Sequence, residues 1–333
     1  MSGTHVPLAV TVRAGHVEGL HTGSVAVCDA DGILLSSRGD SSHPTFFRSS
    51  SKMLQALSVV SSGAAERFSL TLPELALTCA SHNGADDHLR AAESILAKCG
   101  CSVTDLGCGA HEPYDRVEME RLLRAGEAPT AIHNNCSGKH SGMLAVCKAE
   151  GWPTQGYTSL EHPLQQRIHE QIATYSGTPR ADIPTGIDGC SLPTFLLTIR
   201  AMSTAVARFM RASCREGTPD ATIRAAIAAH PEMINGVGGF DTEIVRVTRG
   251  RLIAKRGAMA VFVVGADDPV RGPVGVTVKL ASGDPTAMPV AVMHALEANA
   301  LLSPGEIAQL ESFRRTVIRN WNEIETGAVE AVG

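Results

Sequence analysis

Strand-like apolar runs stand at the two ends of this chain and helical patterns fill its middle, an order that restricts the fold more than any single motif. Near the start, residues 8–12 and 24–28 read as strands, and the turn Asp29-Ala30-Asp31-Gly32 joins the second to residues 33–35 in a β-hairpin. The periodicity then predicts helices over 50–62, 73–80, 86–98, 116–125, 138–149, 162–175 and 192–212, with a short one at 219–229. Strands return at 243–247, 251–255, 260–264 and 275–279, and helices over 287–302 and 304–325 close the chain. Strands drawn from both termini imply one antiparallel sheet with a helical part inserted, an α+β layout. The expected organisation is a single catalytic domain over 1–333, in which 1–48 and 240–333 give the sheet with flanking helices and 49–239 is mainly helical.

With 333 residues, 44% of them hydrophobic, the chain can bury a substantial core. A net charge of -5 without a long basic run argues against nucleic acid or an anionic membrane as a partner and favours a small neutral or zwitterionic ligand. No apolar stretch reaches the length of about 18 residues that a spanning helix needs, and the first residues lack a secretory pattern. Nine cysteines, an odd number at scattered positions, suggest reduced thiols and a cytoplasmic setting.

Ser49 and Lys52 lie one helical turn apart at the start of an apolar helix, which could pair a serine nucleophile with its base. A free lysine, with a pKa of about 10.4, is almost wholly protonated at neutral pH, so such a pair needs burial or a second cation nearby. On spacing alone it reads equally as solvated helix surface. Ser81, in Thr78-Cys79-Ala80-Ser81-His82-Asn83-Gly84, follows an apolar helical run, and Lys255 closes a strand; together they offer a second Ser-Lys pair. The plain readings are a helix-ending turn and a solvated strand end. Cys136 and Lys139 share a face where a polar turn enters a helix, and Cys190 with Asp188 stands at another turn. Two thiols and an amine make a candidate zinc set with an open fourth position, against the commoner fate of buried structural cysteine. Cys99-x-Cys101 with Cys108 and His111 is a weaker zinc candidate.

These motifs, taken in order, resemble the Rhizobium-type, class 3 L-asparaginases, the thermolabile asparaginase II family, over nearly the whole chain. The matching stretches include Val17-Glu18-Gly19-Leu20-His21-Thr22-Gly23, Arg48-Ser49-Ser50-Ser51-Lys52, Ala80-Ser81-His82-Asn83-Gly84, Asn134-Asn135-Cys136-Ser137-Gly138-Lys139-His140, Gly186-Ile187-Asp188-Gly189-Cys190 and Leu252-Ile253-Ala254-Lys255. The resemblance implies hydrolysis of L-asparagine to L-aspartate and ammonia by a homodimer with a serine β-lactamase-like or glutaminase-like fold. It implies Ser49 as nucleophile with Lys52 as base, Ser81 with Lys255 as a second pair, and one zinc ion on Cys136, Lys139 and Cys190 that supports substrate binding. Arg48, His140, Asp188 and Asn83 match surrounding substrate-site residues, with Asp188 placed to receive the α-ammonium group. Two departures stand out: Met53-Leu54 where the family has Pro-Phe, and Met259-Ala260 where it has Glu-Gly. The alternatives are a penicillin-recognising serine peptidase or β-lactamase-like amidase, for which a Lys-Thr-Gly strand motif is missing, and a catalytically lapsed zinc or amino-acid binding module.

Overall fold

Alternating and β-branched sequence at both chain ends builds one antiparallel sheet, as expected of an α+β chain. The computed structural model describes residues 4–333. The strands are β1 (Val6–Arg13), β2 (His16–Asp29), β3 (Leu34–Arg38), β4 (Pro44–Phe46), β5 (Thr185–Ile187), β6 (Pro193–Thr198), β7 (Leu252–Gly257), β8 (Val261–Asp268), β9 (Gly272–Leu280), β10 (Thr316–Arg319) and β11 (Glu325–Ala331). The large sheet has the order β10-β11-β1-β2-β9-β8-β7, with β3 also paired to β2, and β4-β6-β5 form a small second sheet. β2 is long enough to serve two neighbours on one side: its first half pairs with β1 and its second half with β3. The Asp29–Gly32 hairpin turn is held by Asp29 Oδ1, which accepts from the backbone N–H of Asp31 at 2.9 Å and of Ile33 at 2.8 Å.

Three segments differ from the sequence expectation. Residues 243–247, expected as a strand, belong to the helix Phe240–Val247, which buries Ile244 and Val245 and joins Glu243 to Arg246 across 2.6 Å. A run of five residues cannot separate the two periods, and the helical i,i+3 pair prevails here. Within the expected helix 192–212, residues 193–198 form β6 and the helix begins at Ile199, where the Thr198 side chain caps it by accepting from Ala201 N. The closing segment 304–325 is helical only over Pro304–Gln309, and the β-branched run Thr316-Val317-Ile318 enters β10 before the chain returns as β11.

Packing on the sheet depends on close backbone approach. The helix Ile199–Ser213 lies across β2, β8 and β9. A Cβ at Gly275 of β9 would sit 1.9 Å from Ser203 O, so only glycine lets this helix settle there. Ser203 Oγ then reaches Ala26 O of β2 at 2.9 Å. The helix Met288–Ala298 packs against β1, β9 and β11.

The first helix, Lys52–Ser61, is buried from Lys52 through Val59 and packs among the helices Ser137–Glu150, Pro163–Ser176 and Pro219–Ala229. The turn before it, Arg48–Ser51, abuts β7, where a Cβ at Gly257 would lie 2.6 Å from Ser50 Oγ. The seam between sheet edge and helical part therefore brings residues 49, 52 and 255 together. The helix Ser137–Glu150 is set against Leu72–Thr78 through two glycines: a Cβ at Gly138 would stand 2.6 Å from Leu77 O, and one at Gly142 would stand 2.7 Å from Thr78 Cγ2. Because the Leu77 oxygen is backbone and cannot rotate away, Gly138→Ala is expected to cost about 1–3 kcal/mol, read as a lower urea midpoint at unchanged m-value.

Candidate functional site

The segment after the helix Leu72–Thr78 runs between the loop at 134–136 and the short helix Glu232–Asn235. Ser81 N donates to Ile234 O at 2.8 Å, His82 N to Asn135 O at 3.2 Å and Asn83 N to Asn235 O at 3.0 Å. So held, Ser81 Oγ accepts from both Lys52 Nζ and Lys255 Nζ, each at 3.0 Å. The two lysines are almost fully enclosed, 0% and 1% exposed. Lys52 also donates to Ala80 O and lies 3.1 Å from Cys136 Sγ. Lys255 donates to Arg256 O at 3.1 Å and stands 3.8 Å from Asp241 Oδ2. The two Ser-Lys pairs expected from sequence thus become one arrangement centred on Ser81. Ser49 Oγ has no protein hydrogen bond and lines the adjoining pocket. Arg48, immediately before it, holds a left-handed φ of 51°, a conformation costly for a residue with a Cβ.

Burial dominates the charge state of both lysines. It lowers the Lys52 pKa, and Lys139 adds to the effect while Cys136 opposes it. Burial, with smaller contributions from Lys52 and Arg256, brings Lys255 down to about 7, against Asp241 and Cys136, which favour its charged form. Asp241 is itself 0% exposed. Its Oδ1 accepts from Asn235 Nδ2 at 2.7 Å and its Oδ2 from Arg256 N at 3.3 Å. Sequence reading passed over this acid, which lies in the first turn of the helix next to the segment taken for a strand, and no spacing marks it.

A second cluster adjoins the first. Lys139 Nζ lies 3.1 Å from Cys190 Sγ. The hydrogen bond from Cys190, together with the Lys52 and Lys139 cations, draws Cys136 toward thiolate against its burial. The same bond and burial push Cys190 up, so it keeps the proton. Burial works against the Lys139 cation, but Cys190, Cys136 and Asp188 raise its pKa overall. Asp188 pairs with Arg48, whose Nη2 and Nε stand 2.8 and 3.0 Å from Oδ1. Lys139 and Arg48 hold its pKa low despite burial. His140 is driven well down by burial and by Lys139 and Lys52; its Nδ1 meets Tyr157 Oη at 2.6 Å and its Nε2 is buried without a partner.

Among the described residues no three His, Cys, Asp or Glu side chains gather as a metal-binding group, so a zinc ion here would depend on Lys139. The donor types suit that ion, since two thiols and an amine are in contact, but only Cys136 is drawn toward thiolate, and a metal bound here would have to displace the protons of Cys190 and Lys139. The alternative set is not assembled: Cys108 Sγ faces Ala131 O, and His111 Nε2 accepts from Asn135 N.

The pocket above Ser81 has a volume of about 530 Å³. Ser49, Ser81, Asn83, Asn135, Asn235 and Arg256 line it, and the β7–β8 turn with Tyr114 forms its lip. In that turn Met259 and Ala260 both have left-handed φ, 59° and 52°. The glycine that the resembling family has at 260 would carry less strain there. Met259 is 58% exposed and presents an apolar edge, while its carbonyl accepts from Lys279 Nζ at 2.5 Å.

A family model described as L-asparaginase II matches residues 9–331 of the chain. A search of the curated proteins finds no match.

The surroundings of Lys255 give a measurable consequence. Its ε-amine should titrate near pH 7 in nitrogen-15 NMR of lysine-labelled protein, with Lys255→Met identifying the signal. Asp241→Asn removes the carboxylate that favours the ammonium and moves the midpoint lower; a midpoint unmoved or raised contradicts the assignment.

Proposed function

The chain belongs to the L-asparaginase II family, a family of hydrolases acting on amides, and from that premise we propose that it hydrolyses L-asparagine to L-aspartate and ammonia. The observation that carries this reading is Ser81 Oγ held at 3.0 Å from two buried lysines beside the unpaired hydroxyl of Ser49. A lysine brought down to about 7 exchanges protons near neutral pH, as acid-base catalysis requires.

The two hydroxyls suit different roles. An oxygen that accepts from two amines has its lone pairs engaged and is better placed to relay a proton than to attack. Ser49, half-buried at the pocket, is free to attack the side-chain carboxamide carbon. Lys52, one turn further along, takes the Ser49 proton as the C–O bond forms. The tetrahedral intermediate collapses with cleavage of the C–N bond, and Ser81 passes a proton to the departing ammonia, replenished from the lysines behind it. Water then cleaves the aspartyl ester by the reverse transfers, releasing L-aspartate and restoring Ser49. Asp188, held by Arg48, is the proposed receiver of the α-ammonium group, and on the resemblance His140 and Asn83 are further proposed substrate-site residues.

Cys136, Lys139 and Cys190 are the proposed holders of one zinc ion, which when bound would add positive charge for orienting the substrate. The sheet closed by both chain ends supports the serine β-lactamase-like or glutaminase-like arrangement. A cytoplasmic homodimer is proposed on the resemblance, and among the described residues no helix is long and apolar enough to cross a membrane.

Wild-type protein incubated with L-asparagine should release ammonia, and Ser49→Ala should lower kcat by at least about 10³-fold. No release by wild type, or full release by Ser49→Ala, would sink the reading. Because Lys255 can replenish the Ser81 proton only while it is itself protonated, kcat/KM should fall as pH rises through about 7. Metal analysis after dialysis against zinc should find one ion per chain in wild type and none in Cys190→Ser; equal contents dismiss the site.

A further inference from the structure

We propose that Arg256 is a carboxylate receptor that determines which amides this pocket accepts, an inference that rests on the amide-hydrolase reading above. Among the described residues Arg256 is the one charged side chain in the pocket lining, and no Asp or Glu joins it there. Its backbone is fixed twice: N–H donates to Asp241 Oδ2 at 3.3 Å, and the residue pairs with Phe262 across β7–β8. Its side chain is fixed once, by Nη2 donating to Ser81 O at 3.2 Å. Among the described residues Nε, Nη1 and the second N–H of Nη2 have no protein partner, so one full edge of the guanidinium stays open, and Asn135 Nδ2 on the same lining has no partner either. A planar edge of unspent donors, anchored to the residue that relays the proton, matches a carboxylate in shape and charge.

The distribution of charge sharpens the substrate class. Asp188, proposed for the ammonium group, is already paired to Arg48 and does not line this pocket. The pocket therefore reads the carboxylate of an amide more strictly than its amino group. Tyr114, Met259 and Pro285 give it an apolar lip, and about 530 Å³ lies in the range of ligands larger than a single small amino acid. Carboxamides that keep a free carboxylate, with the α-amine free or acylated, are the class that fits.

The test compares kcat/KM for L-asparagine, N-acetyl-L-asparagine and L-asparagine methyl ester on wild type, Arg256→Gln and Arg256→Lys, with circular dichroism melts to verify folding. Wild type should prefer the acid over its ester by about 10- to 100-fold, the range of a charge-assisted hydrogen-bond pair, and should lose less on N-acetylation than on esterification. In Arg256→Gln the acid-to-ester ratio should collapse towards one, chiefly through KM, and Arg256→Lys should recover part of it. An unchanged ratio in Arg256→Gln overturns the proposal, including the case in which both rates fall together, as loss of oxyanion stabilisation or of Ser81 positioning would produce. A larger loss on N-acetylation than on esterification overturns it as well. Calorimetry with L-aspartate tests the site without turnover: binding should weaken about 10- to 100-fold in Arg256→Gln, and equal binding overturns the proposal. Binding that depends on Arg256 with no ammonia from any amide would instead remove the amidase reading and leave the carboxylate site standing.

Discussion

Two lysine amines sealed from water against one hydroxyl are the constraint around which the molecule is arranged. Burying a single cation costs several kcal/mol, and a second one nearby makes each less willing to stay charged. The surroundings answer this cost differently for each lysine. Lys255 is met by Asp241 and by Arg256 O, and Lys52 by Ala80 O and the thiol of Cys136. Asp241 is oriented in turn by Asn235 and by the backbone of Arg256. Apart from Arg256 O, which lies in β7 itself, these acceptors come from segments outside the sheet.

That requirement explains why the centre lies on a seam. Lys52 comes from the first helix, Ser81 from the run after Leu72–Thr78, Cys136 from the entry of Ser137–Glu150, and Lys255 from β7. The glycines that keep these parts close are part of the site although they touch no ligand. Gly138 and Gly142 seat one helix on another, and Gly257 lets the Arg48–Ser51 turn reach β7. A methyl group at any of them would part surfaces whose separation sets the lysine–serine distances.

How much of this was legible in the sequence depends on whether the signal is local. The β-hairpin at Asp29–Gly32 and the polar entry at Cys136 announce themselves by residue type, and Ser49, Lys52, Ser81, Cys136, Lys139, Cys190 and Lys255 could be named from motifs. Asp241 could not, because a buried acid in a short helix has no period of its own, and its partner Lys255 is remote in the chain. The pairing of the centre was hidden for the same reason. Spacing puts Ser49 beside Lys52, but the path of residues 80–83 between the loop at 134–136 and the short helix Glu232–Asn235 brings Ser81 to both amines. The closing strands were hidden by length, since β10 has only four residues and its partner β11 pairs on its other side with β1, from the opposite end of the chain.

Lys255 and Arg256 are neighbours on one strand, and strand geometry sends neighbouring side chains to opposite faces. Here both still reach the same serine, Lys255 through Oγ and Arg256 through the carbonyl oxygen. The amine beneath the hydroxyl and the guanidinium in the pocket wall are thus tied to one residue and one strand, and β7 is held in register by β8 through Lys255↔Val263 and Arg256↔Phe262. A ruler fixed in this way has little freedom to lengthen. Discrimination between two amides differing by one methylene, which a compliant apolar pocket limits to about 1–3 kcal/mol, would here come from the fixed separation between the charge that is read and the hydroxyl that hands a proton to the leaving ammonia. Loosening β7 would then erode selectivity before it abolished turnover, because proton exchange needs only the contacts at Ser81 Oγ, while recognition needs the whole span.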